Sequence, residues 1–190
     1  MKSILMVGVG GQGTILASKL LTQGLLAEGY NIKMSEIHGM SQRGGSVVTH
    51  IRFGEEQVYS PVIGKGKADV IIAFEKMEAL RYLDHLAPNG TVVVNDLEVP
   101  SISISTGDKE YPQGIIEELQ KHAKTIVINA GETAEKIGSQ KVVNMVMLGA
   151  VIGKMGLENI DWKKLLTENV KPDFIEMNLK AINAGVELVK

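Results

Sequence analysis

The hydrophobic pattern changes character along the chain. From Ser3 to Val9, apolar and β-prone residues run without alternation, which suits a central strand covered by helices on both faces. Gln12 to Glu28 follows, with Ile15, Leu16, Lys19, Leu20 and Gln23 at helical spacing and Gly29 as a C-terminal stop. Asn31 to Ile37 reads as a second strand, completing a β-α-β unit with a right-handed crossover. In "SVVTHIRFGEEQVYSPV", two β-prone runs flank a short Gly-Glu-Glu connection, so a hairpin and at least one antiparallel strand are expected. Further strands are predicted at Asp69 to Phe74, Thr91 to Asn95 and Thr125 to Ile128, separated by helices at Lys76 to Leu86 and Gln113 to Ala123.

From Gln140 onward the pattern is helical. A final helix beginning near Pro172 carries Ile175, Leu179, Ile182, Val186 and Val189 as one apolar stripe, which should pack on the body or on a partner. The predicted fold is α/β: a three-layer, Rossmann-like α/β/α arrangement with a mixed sheet, mostly parallel plus a hairpin, and a helical C-terminal third. At 190 residues, with no internal repeat, low-complexity tract or linker, the chain reads as a single domain over 1–190.

Composition narrows the function classes. A 44% hydrophobic, 22% charged chain with a net charge of -2 is ordinary globular chemistry, without the basic field that coats nucleic acid. The apolar run Ile4 to Val9 is too short to span a bilayer and no signal-peptide cleavage pattern follows it, so a soluble cytoplasmic protein with no membrane partner is expected. The chain has no cysteine, which excludes disulfides, thiolate zinc sites, thiolate-held iron–sulfur clusters and cysteine nucleophiles within it. His38, His50, His85 and His122 show no H-E-x-x-H or comparable spacing, so no metal site is expected.

Two loops carry candidate chemistry. Gly8, Gly10 and Gly13 satisfy G-x-G-x-x-G between a predicted strand and a predicted helix, with Gly11 and Gln12 inside the turn. Such glycines let backbone N–H groups approach an anion at a helix N-terminus, and equally they can simply make a close strand-to-helix turn. Thr14 stands where a phosphate-binding loop of the G-x-x-x-x-G-K-[ST] type needs lysine, which removes an ordinary ATPase or GTPase reading. Glu36, near the end of the second strand, keeps a ribose-binding acid and therefore an NAD(P) site open.

The second loop, "SEIHGMSQRGGS" from Ser35 to Ser46, is longer and more polar than a plain connection. Arg43 can grip a phosphate or carboxylate, or form a surface ion pair, while Gly44 and Gly45 allow backbone amides near the same anion. His38 is a candidate acid or base, with a structural hydrogen bond as the plainer alternative. Lys65 and Lys67 could add positive charge, and Asn144 is an odd polar residue in an apolar helix. Glu75 and Glu78 tempt toward paired-carboxylate chemistry, yet they fall in a predicted first helical turn where acids are favoured anyway.

"GVGGQGTILASKLL" together with "EIHGMSQRGGSVVTHIRFG" resembles the gamma-type subunit or domain of the 2-oxoacid:ferredoxin oxidoreductases, most of all the small beta subunit of the indolepyruvate type. The later segments "ADVIIAFEKMEALRYLDHLAPNGTVVVN" and "KVVNMVMLGAVIGK" fit too, so the resemblance covers nearly the whole chain. It implies an enzyme complex that cleaves a 2-oxoacid with thiamine diphosphate, passes electrons through iron–sulfur clusters to ferredoxin, and yields CO2 and an acyl-coenzyme A. This chain lacks cluster cysteines and a G-D-G motif of the kind that holds thiamine diphosphate through magnesium. The resemblance therefore assigns those groups to a larger partner subunit, with ferredoxin reached only indirectly and the isolated chain inactive. It gives this chain the task of completing the active site and contacting coenzyme A, with Gly8, Gly10, Gly11, Gln12 and Gly13 as one wall and Ser41, Gln42, Arg43 and Gly44 as the other. A free-standing NAD(P) dehydrogenase and a nucleotide-binding regulatory module are the competing readings.

Overall fold

The computed structural model describes residues 1–39, 45–107 and 110–190. In chain order they form β1 (Lys2–Val9), α1 (Thr14–Ala27), β2 (Asn31–His38), β3 (Ser46–Gly54), β4 (Ala68–Ala73), α2 (Lys76–Arg81) and β5 (Leu86–Asn95). There follow α3 (Ile102–Ser105), α4 (Ile115–His122), β6 (Lys124–Ile128), α5 (Ala130–Ile137), α6 (Val143–Met155), α7 (Trp162–Asn169) and α8 (Ile175–Glu187). One six-stranded sheet has the order β2-β3-β1-β4-β5-β6. β1, β4, β5 and β6 are parallel, and β3 runs antiparallel to both of its neighbours. This is the expected mixed α/β fold with a helical C-terminal stretch.

β1 is buried from Ser3 to Val9 because both faces of the sheet are covered. Ile4 and Met6 join Ile51, Phe53, Val70, Ile72 and Val93 in a core shared with α1, α6, α7 and α8. Leu5 and Val7 point the other way and join Val48, Ile71, Val92 and Val94 beneath α2 and α4. Two opposed apolar environments explain the absence of alternation in the sequence, and each fully buried side chain of this size contributes roughly 1.5–3 kcal/mol.

The hairpin expectation holds for β3 and fails for its partner. β3 pairs along one edge with β1, from Lys2↔Phe53 to Val9↔Ser46, and along the other with β2, from Asn31↔Gly54 to His38↔Val47. With both edges taken, no ladder position is left for the β-prone run at 57–62. That run instead forms an irregular strap with Val58 and Ile63 buried, and the Ile63 N–H donates to His50 Nδ1 at 3.2 Å. β2 is parallel to β1, as the β-α-β reading requires, but β3 lies between them. The helix expected to reach Leu86 stops at Arg81, because the turn at Leu83–His85 is tied to the start of β4: Gly66 N–H donates to Asp84 O and Lys67 N–H to His85 O, both at 2.9 Å.

The C-terminal helices close one face. The stripe on α8 packs on the body: Ile182 and Val186 are buried, with Ile175, Leu179 and Val189 packed against the same core. α6 and α8 touch backbone to backbone, since a Cβ at Gly149 would lie 2.0 Å from Ile182 O and one at Gly185 would lie 2.0 Å from Val146 O. Among the described residues no helix is long and apolar enough to cross a membrane.

Candidate functional site

α1 leaves β1 for one face of the sheet and α2 leaves the neighbouring β4 for the other, so a crevice forms at the carboxyl ends of these two strands. The glycine loop occupies it. Gly8 must lack a side chain, because a Cβ there would sit 3.0 Å from Phe74 Cβ and 2.6 Å from Gln12 Oε1. Gly13 takes a left-handed conformation (φ 75°) as the residue preceding α1, and a Cβ on it would come within 2.7 Å of Asn144 Nδ2. Asn144, buried in the first turn of α6, donates to Gly13 O at 3.3 Å, which accounts for a polar residue in an apolar helix.

Gln12 turns inward. Its Oε1 accepts the Val9 N–H at 2.8 Å and its Nε2 donates to Phe74 O at 3.2 Å, so the side chain staples the end of β1 to the end of β4. Gly10 and Gly11 are the exposed part of the loop. α1 begins with no side-chain cap and no acid in its first turn, leaving the positive end of its dipole unopposed.

The second loop starts and ends beside the first. Gly10 N–H donates to Gly45 O at 2.9 Å, and Gly39 N–H to Ser46 O at 2.7 Å. The described flanks of the second loop, Gly39 and Gly45, thus lie at the same end of the sheet as the glycine loop; Ser41, Gln42, Arg43 and Gly44 themselves lie outside the described residues. His38 stands in register with Val47, which pairs with Gly8, so it is two strands away at the same level, roughly 10 Å by strand spacing. Its Nε2 is paired with the Glu36 carboxylate, which also accepts from Thr49 Oγ1 at 3.4 Å.

Glu36 therefore does not stand where an NAD-binding fold needs it. The ribose acid belongs at the end of the strand next to β1, and here β3 takes that place. Lys65 and Lys67 are also displaced from the expected site: they precede β4, at the amino end of the parallel strands, where exposed Lys65 pairs with Asp84 at 2.7 Å.

Behind the glycine loop lies a buried polar network that sequence reasoning found only in part. Glu75 and Glu78 are 1% and 3% exposed. Glu75 caps α2 by accepting the Glu78 N–H at 2.9 Å, and it also accepts from the Val99 N–H and the Tyr111 hydroxyl. Burial first, and then the bond to Glu75, pushes the Tyr111 hydroxyl pKa well above its usual value, so Tyr111 is a fixed donor. Glu78 accepts from Ser46 Oγ at 2.5 Å and from Arg81 Nε at 3.0 Å. Asn95, buried at the end of β5, donates to the same Phe74 O as Gln12 and accepts the Ala130 N–H at 2.9 Å. The one sequence signal for Asn95 is an amide closing the apolar run "TVVVN"; Tyr111 and Ser46 carried none.

Among the described residues no group of three or more His, Asp or Glu is placed to hold a metal ion. A concavity of about 440 Å³ lined by Tyr30, Phe53, Met155 and Leu157 also includes Met1 and Lys2, at the amino end of β1, and contains none of the predicted site residues.

The exposed part of the loop offers backbone donors and glycines suited to an anion. "Indolepyruvate oxidoreductase subunit IorB" of Pyrococcus horikoshii is 36% identical over 196 residues, 99% of this chain and 96% of that protein. The fold matches the keto/oxoacid ferredoxin oxidoreductase gamma subunit from Geobacter sulfurreducens with a TM-score of 0.72 at 23% identity, covering 100% of this chain and 98% of the other. It also matches 2-oxoglutarate:ferredoxin oxidoreductase from Magnetococcus marinus, solved with 2-oxoglutarate, coenzyme A and succinyl-CoA bound, with a TM-score of 0.76 at 21% identity; there the match covers 99% of this chain and 31% of that one. The profile described as "Pyruvate ferredoxin/flavodoxin oxidoreductase" matches residues 3–188, and with the relatives above it makes this chain a member of that oxidoreductase family, related to the indolepyruvate-type small subunits.

Proposed function

We propose that the chain is the small subunit of a cytoplasmic 2-oxoacid ferredoxin oxidoreductase acting on indolepyruvate or a related arylpyruvate, and that it completes a partner's active site and contacts coenzyme A. The observation that carries this reading is the near full-length match, in both directions, to a protein named as an indolepyruvate oxidoreductase subunit. A chain without cysteine needs iron–sulfur clusters to be ligated elsewhere. The Magnetococcus protein, of which this fold spans 31%, supports a division of labour in which this unit accompanies a larger body. Thiamine diphosphate, magnesium and the clusters then belong to the partner, and ferredoxin is reached through it.

The donor set at the crevice fits a phosphate of coenzyme A, whose thiol accepts the acyl group. The uncapped start of α1 offers N–H groups and a favourable dipole, and exposed Gly10 and Gly11 allow close backbone approach. Gln12 acts by fixing the loop rather than by reaching a ligand, because both ends of its amide are engaged inside the chain. Arg43 supplies the cation on this reading.

Purification of the tagged chain from native extract tests the proposal. A larger thiamine diphosphate and iron–sulfur polypeptide is expected to accompany it, and the complex to reduce viologen with an arylpyruvate in a coenzyme A-dependent manner. Reduction of NAD by the isolated chain with a 2-hydroxyacid would overturn it.

A further inference from the structure

We infer that Glu78 is a positioning residue for the glycine loop, acting through Ser46 and Gly45 to set the geometry in which coenzyme A is held. The inference rests on the proposed function above. Glu78 lies in the first turn of α2 and is 3% exposed, yet its two carboxylate oxygens are committed to separate donors: Oε2 to Ser46 Oγ at 2.5 Å and Oε1 to Arg81 Nε at 3.0 Å. Tyr82 Oη stands 3.4 Å from the same Ser46 hydroxyl.

Ser46 opens β3 in register with Val9, the residue that precedes the exposed part of the glycine loop. Its neighbour Gly45 accepts the Gly10 N–H at 2.9 Å, and Ser46 O accepts the Gly39 N–H at 2.7 Å. From a buried carboxylate to exposed Gly10 there is thus an unbroken path of two hydrogen bonds and one stretch of backbone. The same residue also pins both described flanks of the second loop.

Desolvating a carboxylate is costly, and for stability alone an apolar side chain of similar volume serves such a position as well or better. Direction is what the carboxylate adds. With one oxygen facing Ser46 and the other facing Arg81, the hydroxyl has a single favoured orientation, and the backbone that precedes Ser46 is held against Gly10. A first helical turn favours an acid here, but Glu75 already caps α2, and helix formation does not require Glu78 to reach Ser46.

The test compares complexes reconstituted with wild-type chain, Ser46→Ala, Glu78→Gln and the double variant. Each single variant is expected to raise the KM for coenzyme A on the order of five- to tenfold, with kcat and the 2-oxoacid KM within about twofold. The double variant is expected to be no worse than the poorer single one, because both substitutions cut the same path. An unchanged KM for coenzyme A in both single variants, or a loss shared equally by both substrates, overturns the inference and leaves Glu78 as a structural residue. A wild-type complex whose turnover is indifferent to coenzyme A overturns the reading beneath it, and the inference with it, before any variant is assayed.

Discussion

The crossing of α6 and α8 and the carboxyl end of β1 and β4 are both closely determined, by opposite means. At the helix crossing, Gly149 and Gly185 bring two backbones so near that any added carbon meets a carbonyl oxygen. At the strand ends, Gln12, Asn95, Glu75 and Glu78 hold the backbone through buried and half-buried hydrogen bonds. The first kind of fit excludes atoms; the second demands particular ones. Only the second adjoins the exposed glycines, so the region proposed to hold coenzyme A is the one whose geometry depends on polar pairing and can be adjusted one bond at a time.

The contrast can be broken most directly at Gly149. Gly149→Val is expected to abolish a stable fold, and Gly149→Ala to lose about 3 kcal/mol or more in a urea titration, the upper range for overpacking. A Gly149→Ala chain within about 1 kcal/mol of wild type would mean that the helices part freely and that the crossing is not exclusive.

Asn95→Leu comes next. It leaves Phe74 O short of one of its two side-chain donors and Ala130 N–H without its acceptor, at an expected cost of about 2–3 kcal/mol, whereas an apolar change of equal size on the core side of β5 is expected to cost less. Equal costs would dissolve the distinction between the two regions. Arg43→Ala is expected to act on function alone: the KM for coenzyme A rises about tenfold in the reconstituted complex while assembly and Tm hold. An unchanged KM removes Arg43 from the site.

The smallest effect concerns His50. Burial, with a lesser push from His85, holds its pKa below 6.5, and Nδ1 accepts the Ile63 N–H. Below pH 6.5 the unfolded chain takes up a proton that the folded chain refuses, so this residue lowers stability as pH falls, until the folded-state pKa is reached. His50→Gln is expected to flatten the dependence of Tm on pH below about 6.5, and an unaltered slope would show that other groups set it.

What could be seen in the sequence follows from how local each signal is. β1 and the α8 stripe were legible because a continuous apolar run and a 4,3,4,3 spacing are local consequences of being covered on two faces or on one. β3 was legible as an antiparallel strand, but its partners were not, since the occupancy of its two edges is a property of the whole sheet. The glycine loop was placed correctly at a strand-to-helix turn. The inward commitment of Gln12 could not be read, because its partner Phe74 is 62 residues away. Lys65 and Lys67 looked close to the loops along the chain, yet the direction of β4 puts them at the other end of the sheet. Glu75 and Glu78 are both legible in the sequence as acids of a helix start; the bond from Ser46 to Glu78 is not, because no periodicity marks Ser46.

Gln12 has a consequence for the energetics of whatever binds in front of it. By spanning from Val9 to Phe74 it ties the base of the loop during folding, so the proposed ligand at Gly10 and Gly11 would meet a turn whose flanks are already ordered. Without that staple the loop would have to be ordered at the moment of association, at about 0.5–1.5 kcal/mol for each immobilised flexible side chain and a comparable loss for each backbone residue. On the proposed reading, affinity for coenzyme A at this loop is drawn in part from the folding free energy of the sheet behind it.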